Sequence, residues 1–233
     1  MGALTRDQIV TAGLGKAGNL STALRTRIET EFQAWLDRQY SAWSWPFLKK
    51  RAVGLSLSSG ATSLTIGAGS GGVTLEIIRL VSPILFYTTD RTTVGKAPLV
   101  QVAGSNSVQF DETLQNSATW IGTPTSFKAR NGTVRGRWDL IPMPFPDRAL
   151  NIAIDYYERP AALGASTVPI YPEDATMIQA VNALALVDQK GEDSPAAITA
   201  NDRTSNMLAR DRSTHGQVPG ENDILQLDSS VFK

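Results

Sequence analysis

Apolar residues recur at spacings of three, four and seven between positions 22 and 43, at Leu24, Ile28, Phe32, Trp35, Leu36 and Trp43. That period predicts an amphipathic helix, with Arg25, Arg27, Glu29, Glu31, Asp37 and Arg38 at its other angular positions. Ser21 or Thr22 is placed to cap it, and Pro46 stops it, because proline donates no amide hydrogen and disfavours helical geometry in Trp45. A shorter helix precedes it: Thr5 with Gln8 three residues on forms a capping-box pattern, Ile9, Val10 and Leu14 make a short apolar stripe, and the glycines of 15–18 end it.

From residue 51 the period changes to alternation, which predicts strands. Val53, Leu55 and Leu57 alternate; Leu64 and Ile66 follow a Ser-Ser-Gly turn; Val73, Leu75, Ile77, Ile78 and Leu80 read as a longer strand. Stretches 84–87, 99–102, 126–130, 134–141 and 150–157 complete the β-region, and Asn131-Gly132 between two of them is its strongest hairpin signal. Residues 107–116 break the alternation and fit one or two helical turns.

Helical patterning returns after Pro172-Glu173-Asp174, where proline and acidic side chains suit a helix start. Met177, Ile178, Val181, Leu184, Ala185 and Val187 make that helix strongly apolar, and Gly191 ends it. Pro195 opens a more polar helix to about Asp211, with Ile198, Met207 and Leu208 as its anchors. Residues 212–233 form a polar tail with two apolar islands, Ile224, Leu225 and Leu227, then Val231 and Phe232. Such a tail does not offset its own ordering entropy, so it is expected to stay mobile until docked.

Charge adds one feature to this picture. The chain is neutral overall, with 22 basic and 22 acidic residues among 233, so it has no general footprint for nucleic acid or an anionic membrane. Residues 1–60 nevertheless carry 8 basic against 4 acidic residues (net +4), residues 61–172 carry 9 against 8 (net +1), and residues 173–233 carry 5 against 10 (net −5). Ends of opposite sign suit copies packed side by side through two different surfaces, although a solvated surface also carries such asymmetry. With no cysteine, disulfides, thiolate zinc sites and a cysteine nucleophile are excluded. The opening residues lack an apolar core of signal-peptide length, and no stretch approaches the roughly 18 apolar residues of a membrane span; the expectation is a chain made and kept in a cytoplasm.

Candidate chemistry is thin. Gly67, Gly69 and Gly72 have G-x-G-x-x-G spacing, but the motif requires a helix next, and the residues from Val73 on read as a strand, so a hairpin loop is the preferred reading. His215, the lone histidine, sits in the polar tail without an evident partner. Asp111, Glu112, Asp155, Glu158 and Asp174 supply carboxylates, yet nothing in their spacing specifies a catalytic pair. Trp35, Trp43, Trp45, Trp120 and Trp138 could stack on sugar faces, although three cluster where the helix gives way to strands, which favours packing. Lys49-Lys50-Arg51 could meet DNA phosphates or simply open a solvated strand. We expect no catalytic residue, no metal and no cofactor.

Three further stretches carry a resemblance when taken with the junction Trp43-Ser-Trp45-Pro46-Phe47-Leu48. They are Gly122-Thr-Pro124-Thr-Ser-Phe127, then Trp138-Asp-Leu140-Ile-Pro142-Met-Pro144, then Ile154-Asp-Tyr156-Tyr-Glu-Arg-Pro160 leading to Pro172-Glu173-Asp174. In this order they resemble the head-to-tail adaptor (neck or connector) proteins of tailed bacteriophages, over most of residues 1–190. The resemblance implies a non-enzymatic structural protein of the virion, made in the host cytoplasm and located in the neck between capsid portal and tail. It further implies a ring, typically of twelve identical subunits, that binds the portal protein, extends the channel through which DNA passes without sequence-specific binding, and offers a platform to a downstream tail or nozzle protein.

The expected fold is α+β, divided as an N-terminal helical hairpin (1–50), an irregular antiparallel β-domain (51–171), C-terminal helices (172–211) and an extended docking tail (212–233). Ile224, Leu225, Leu227, Val231 and Phe232 are the expected portal-docking residues, and Phe32, Trp35, Leu36, Trp43, Trp45 and Phe47 the expected helix-to-β or intersubunit packing. The alternative is a β-sandwich carbohydrate- or receptor-binding module of a phage fibre, in which exposed tryptophans would respond to glycans.

Overall fold

The computed structural model describes residues 3–18, 21–74, 76–90, 92–100, 121–215 and 223–225. The fold is α+β, and the chain forms two compact units. One unites Met1–Phe47 with Pro160–Val218, the other Leu48–Arg159 with Pro219–Lys233.

The first unit is helical: α1 (Arg6–Ala17), α2 (Thr22–Ala42), α3 (Asp174–Lys190) and α4 (Pro195–His215). The caps follow the sequence. Thr5 and Gln8 form a reciprocal capping box, the Ser21 hydroxyl accepts from the Leu24 amide, and Gly18 and Gly191 terminate α1 and α3. Apolar α3 is the centre, against which α1, α2 and α4 all pack. Gly13 makes the approach of α1 possible, since a Cβ there would lie 2.4 Å from Val181 Cγ1. On α4 the buried face is Ala197, Ala200, Thr204, Leu208 and Asp211, while Ile198 is exposed. Small residues together with the expected anchor Leu208, and not Ile198, let α4 close on α3; the Thr204 hydroxyl donates within α4 to Ala200 O at 2.9 Å and lies 3.4 Å from Gln179 O of α3.

The second unit is built of strands. A five-stranded sheet runs β1 (Lys49–Leu57), β10 (Leu150–Glu158), β3 (Ile77–Tyr87) and β11 (Asp223–Leu225), with β4 (Thr93–Ala97) also on β3. A four-stranded sheet runs β2 (Leu64–Ile66), β8 (Trp138–Met143), β7 (Ser126–Asn131) and β5 (Leu99–Val100), and β6 (Ile121–Gly122) pairs with β9 (Phe145–Pro146). Pairing is antiparallel except for the two-residue β5–β7 and β6–β9 contacts. Leu57, Ile66, Ile77, Leu80, Ile84, Phe86, Phe127, Trp138 and Ile152 belong to one core, where the Phe86 and Phe127 rings stack 5.2 Å apart.

Three departures from simple alternation have local causes. The register on β1 shifts between Val53 and Leu55, so Leu55 and Leu57 face the core while Val53 is 63% exposed. Residues 77–87 form one strand, not two, because the pairing with β10 skips the stretch around Pro83, where no amide is needed. The β7–β8 hairpin signalled by Asn131-Gly132 has a loop to Arg137, not a tight turn, and the Gly136 carbonyl in it accepts from the Ile77 amide at 2.9 Å. The expected helical turns at 107–116 lie outside the described residues.

Candidate assembly surfaces

In the helical unit, an aromatic seam forms where α2 ends. Trp45 is fully buried (0% exposed); its indole N–H donates to Gln39 O at 2.9 Å, and its ring meets Phe47 at 5.6 Å and Tyr171 at 5.6 Å. Tyr171 also meets Trp35 at 5.8 Å, and Trp35 stacks on Phe32 at 6.0 Å. Leu36 is buried on the same helix. Trp43 is only partly buried and carries the guanidinium of Arg212 at 4.7 Å from its ring; Arg212 also donates to Gln39 Oε1 at 2.9 Å.

Periodicity could not reveal Tyr171, which lies in the irregular stretch 160–173. That stretch is fastened by polar contacts: Arg6 N–H to Thr167 O at 2.8 Å, Asp7 N–H to Ala165 O at 3.1 Å, Leu163 N–H to Gln33 Oε1 at 3.0 Å, and Tyr40 O–H to Ile170 O at 3.0 Å. Backbone groups of Leu163, Ala165, Thr167 and Ile170 are thereby paired without secondary structure. Its Pro172 was legible only as part of a helix start, with Glu173 and Asp174.

Electrostatics around the seam favour neutral phenols. Tyr40 is held well above the ordinary tyrosine value, first by burial and then by Asp37; Tyr171 likewise by burial, then by Asp211. Asp211 is 1% exposed, with the Arg210 guanidinium 3.7 Å away. The stretch beside the seam also presents apolar side chains outward, Val168 at 43% and Ile170 at 52% exposure.

In the β unit the notable surface is the edge of β3. Ile77, Ile78, Arg79 and Leu80 are buried, and Arg79 lies over the Tyr157 ring at 5.3 Å. The main chain of this edge is covered by β11, with Asp223 opposite Val81, Ile224 opposite Leu80 and Leu225 opposite Arg79. Farther along, β4 covers Ile84–Tyr87. Two of the expected docking residues, Ile224 and Leu225, therefore lie in a sheet strand; Leu227, Val231 and Phe232 lie outside the described residues. Nothing in the apolar pattern of the tail distinguished a strand from an arm.

The remaining candidates are dispersed. Gly67–Gly72 form a tight turn with Gly67 at φ +90°, where a Cβ would lie 2.3 Å from Gly136 O; Arg137 holds the turn by donating to Ala68 O at 3.0 Å, and no helix follows. Trp35, Trp45 and Trp138 are buried and offer no face to a sugar, while Trp120 is not among the described residues. Asp155 pairs with Lys49 at 3.7 Å and Arg51 at 3.6 Å, which gives that basic cluster an internal partner. Asp174 accepts from the Leu4 amide at 3.1 Å, and His215 lies 3.9 Å from Glu173 at the end of α4. Glu158 ends β10, and Asp111 and Glu112 are outside the described residues. Among the described residues no group of three or more His, Asp or Glu could hold a metal, and no helix is long and apolar enough to cross a membrane. Compared with known protein families and with curated proteins, the chain finds no match.

Proposed function

We propose that the protein is a head-to-tail adaptor of a tailed bacteriophage: a ring of identical subunits beneath the portal that extends the DNA channel and carries the next tail component. The observation that carries this reading is the ordered set of motifs and the elements on which they fall. Helix α2 passes through Trp43–Leu48 into β1; Gly122-x-Pro124 follows from β6, Leu140-x-Pro142-x-Pro144 spans the end of β8, and Tyr156-x-x-x-Pro160 ends β10 and leads into the fastened stretch before α3.

Burial of surface is the physical basis of such a role. Val168 and Ile170 are apolar side chains that a sister copy would cover, and the opposite charges of the two chain ends suit a head-to-tail contact. Residues 226–233, with Leu227, Val231 and Phe232, follow β11 and are the segment assigned to the portal.

Negative-stain microscopy and light scattering of the full chain, alone at rising concentration and mixed with the portal protein from the same genome, test the reading. Rings coaxial with the portal are expected, and removal of residues 226–233, which spares β11, is expected to weaken portal binding at least tenfold. A chain that stays monomeric in both settings overturns it.

A further inference from the structure

With β11 in place Ile77, Ile78, Arg79 and Leu80 of β3 are buried, and an uncovered row of edge N–H and C=O groups there would invite adventitious pairing. In the single chain the cover is β11, the last strand of the sheet, held in three register positions.

Two properties make that cover transferable. It is attached by pairing between main chains, so the same segment from a second copy would make the same hydrogen bonds on the same edge. It also follows α4 by a seven-residue connector, 216–222, whose eight Cα steps reach up to about 27 Å when extended. Between the intrachain and the exchanged arrangement the hydrogen bonds cancel, and the balance is set by loop closure against the local concentration of neighbouring edges.

We propose that in the assembled ring β11 leaves its own β3 edge and pairs, antiparallel and in the same register, with the β3 edge of the adjacent copy. The inference rests on the ring reading above and adds to it the contact that ties neighbours together. Each copy then gives one strand and receives one, a head-to-tail relation that closes by rotation. Before assembly the same strand keeps the edge covered in the monomer. No new surface is required on exchange, which is why strand swapping is a low-cost route to association.

The chain has no cysteine of its own, so an engineered pair reports without interference. Val81→Cys and Asp223→Cys sit directly opposite in the register, at a Cα separation typical of paired antiparallel residues and compatible with a disulfide. The full chain carrying both is oxidised as dilute monomer and as isolated ring, then run denatured without reductant. The monomer is expected to give an intrachain link, and the ring a ladder of covalent multiples extending to the whole ring. A ring that gives only intrachain links, or free thiols, overturns strand exchange and leaves the ring reading standing. A chain that never forms a ring overturns both. Should the double variant fold poorly, equal mixtures of the two single variants serve: a Val81→Cys to Asp223→Cys link between chains is expected in about a quarter of neighbour contacts by random incorporation, and its absence overturns the exchange.

Discussion

The two units close themselves by different means. In the helical unit, side chains from distant parts of the sequence interlock: Tyr171 from an irregular stretch sits against Trp35 and Trp45, and Arg6 donates both to Leu163 O at 3.0 Å and to Glu29 at 3.2 Å. In the β unit, the edge of β3 is closed by main-chain pairing with a three-residue strand. Side-chain closure is specific to its residues and fragile to their loss. Main-chain closure tolerates sequence, so the helical unit depends on the identity of its interlocked side chains and the β3 edge on the presence of a paired strand.

The sharpest blow to this contrast is Trp45→Ala. A fully buried indole would be lost, together with its hydrogen bond to Gln39 O and two ring contacts, at a cost of about 3–5 kcal/mol. Urea unfolding measures the loss, and peptide-resolved hydrogen exchange is expected to locate it in residues 22–45 and 160–173. A loss below about 1 kcal/mol would mean that the seam is not what closes the helical unit.

How much of this was readable from the chain differs in the same way. Both helix caps and the apolar face of α2 followed from local spacing, since a cap needs only its own first turn. The partner of that face did not, because Tyr171 lies 126 positions after Trp45 in a stretch with no period. In the β unit the alternation located β1 but misplaced Val53, because one register shift exchanges the faces of a strand. The covering strand was legible only as an apolar island, since a three-residue strand is defined by its partner and not by its own pattern.

A second, smaller effect separates the units by pH. Tyr40 and Tyr171 are both raised above an unfolded value of about 10, so the stability they confer is fully present below pH 10 and is lost as pH rises towards their folded values. Each withheld ionisation costs about 1.4 kcal/mol per pH unit in that window. Among the described residues of the β unit the one phenol that is raised is Tyr156, by burial and then by Glu158. Circular dichroism followed against tyrosinate absorbance is therefore expected to show helix loss beginning above pH 10, with two phenols ionising as the helices melt. Ionisation of all phenols near pH 10 with intact helices would show that the seam admits water.

The smallest expected effect probes the main chain directly. In an antiparallel ladder successive residues point their amides to opposite sides, so of Ile224 and Leu225 one directs its N–H at β3, whichever way the strand is phased. The paired change Ile224→Pro with Leu225→Pro removes that donor without requiring the phase to be known. Loss of that hydrogen bond leaves its acceptor on β3 unmatched, at about 1 kcal/mol. Amide exchange at whichever of residues 79–81 direct their N–H at β11 is expected to accelerate at least tenfold, while the alternate amides bonded to β10 and exchange in α1–α4 stay unchanged. Unaltered protection at 79–81 would mean that something other than β11 covers the edge, and the contrast between a side-chain lock and a main-chain cover would fail at its weaker half.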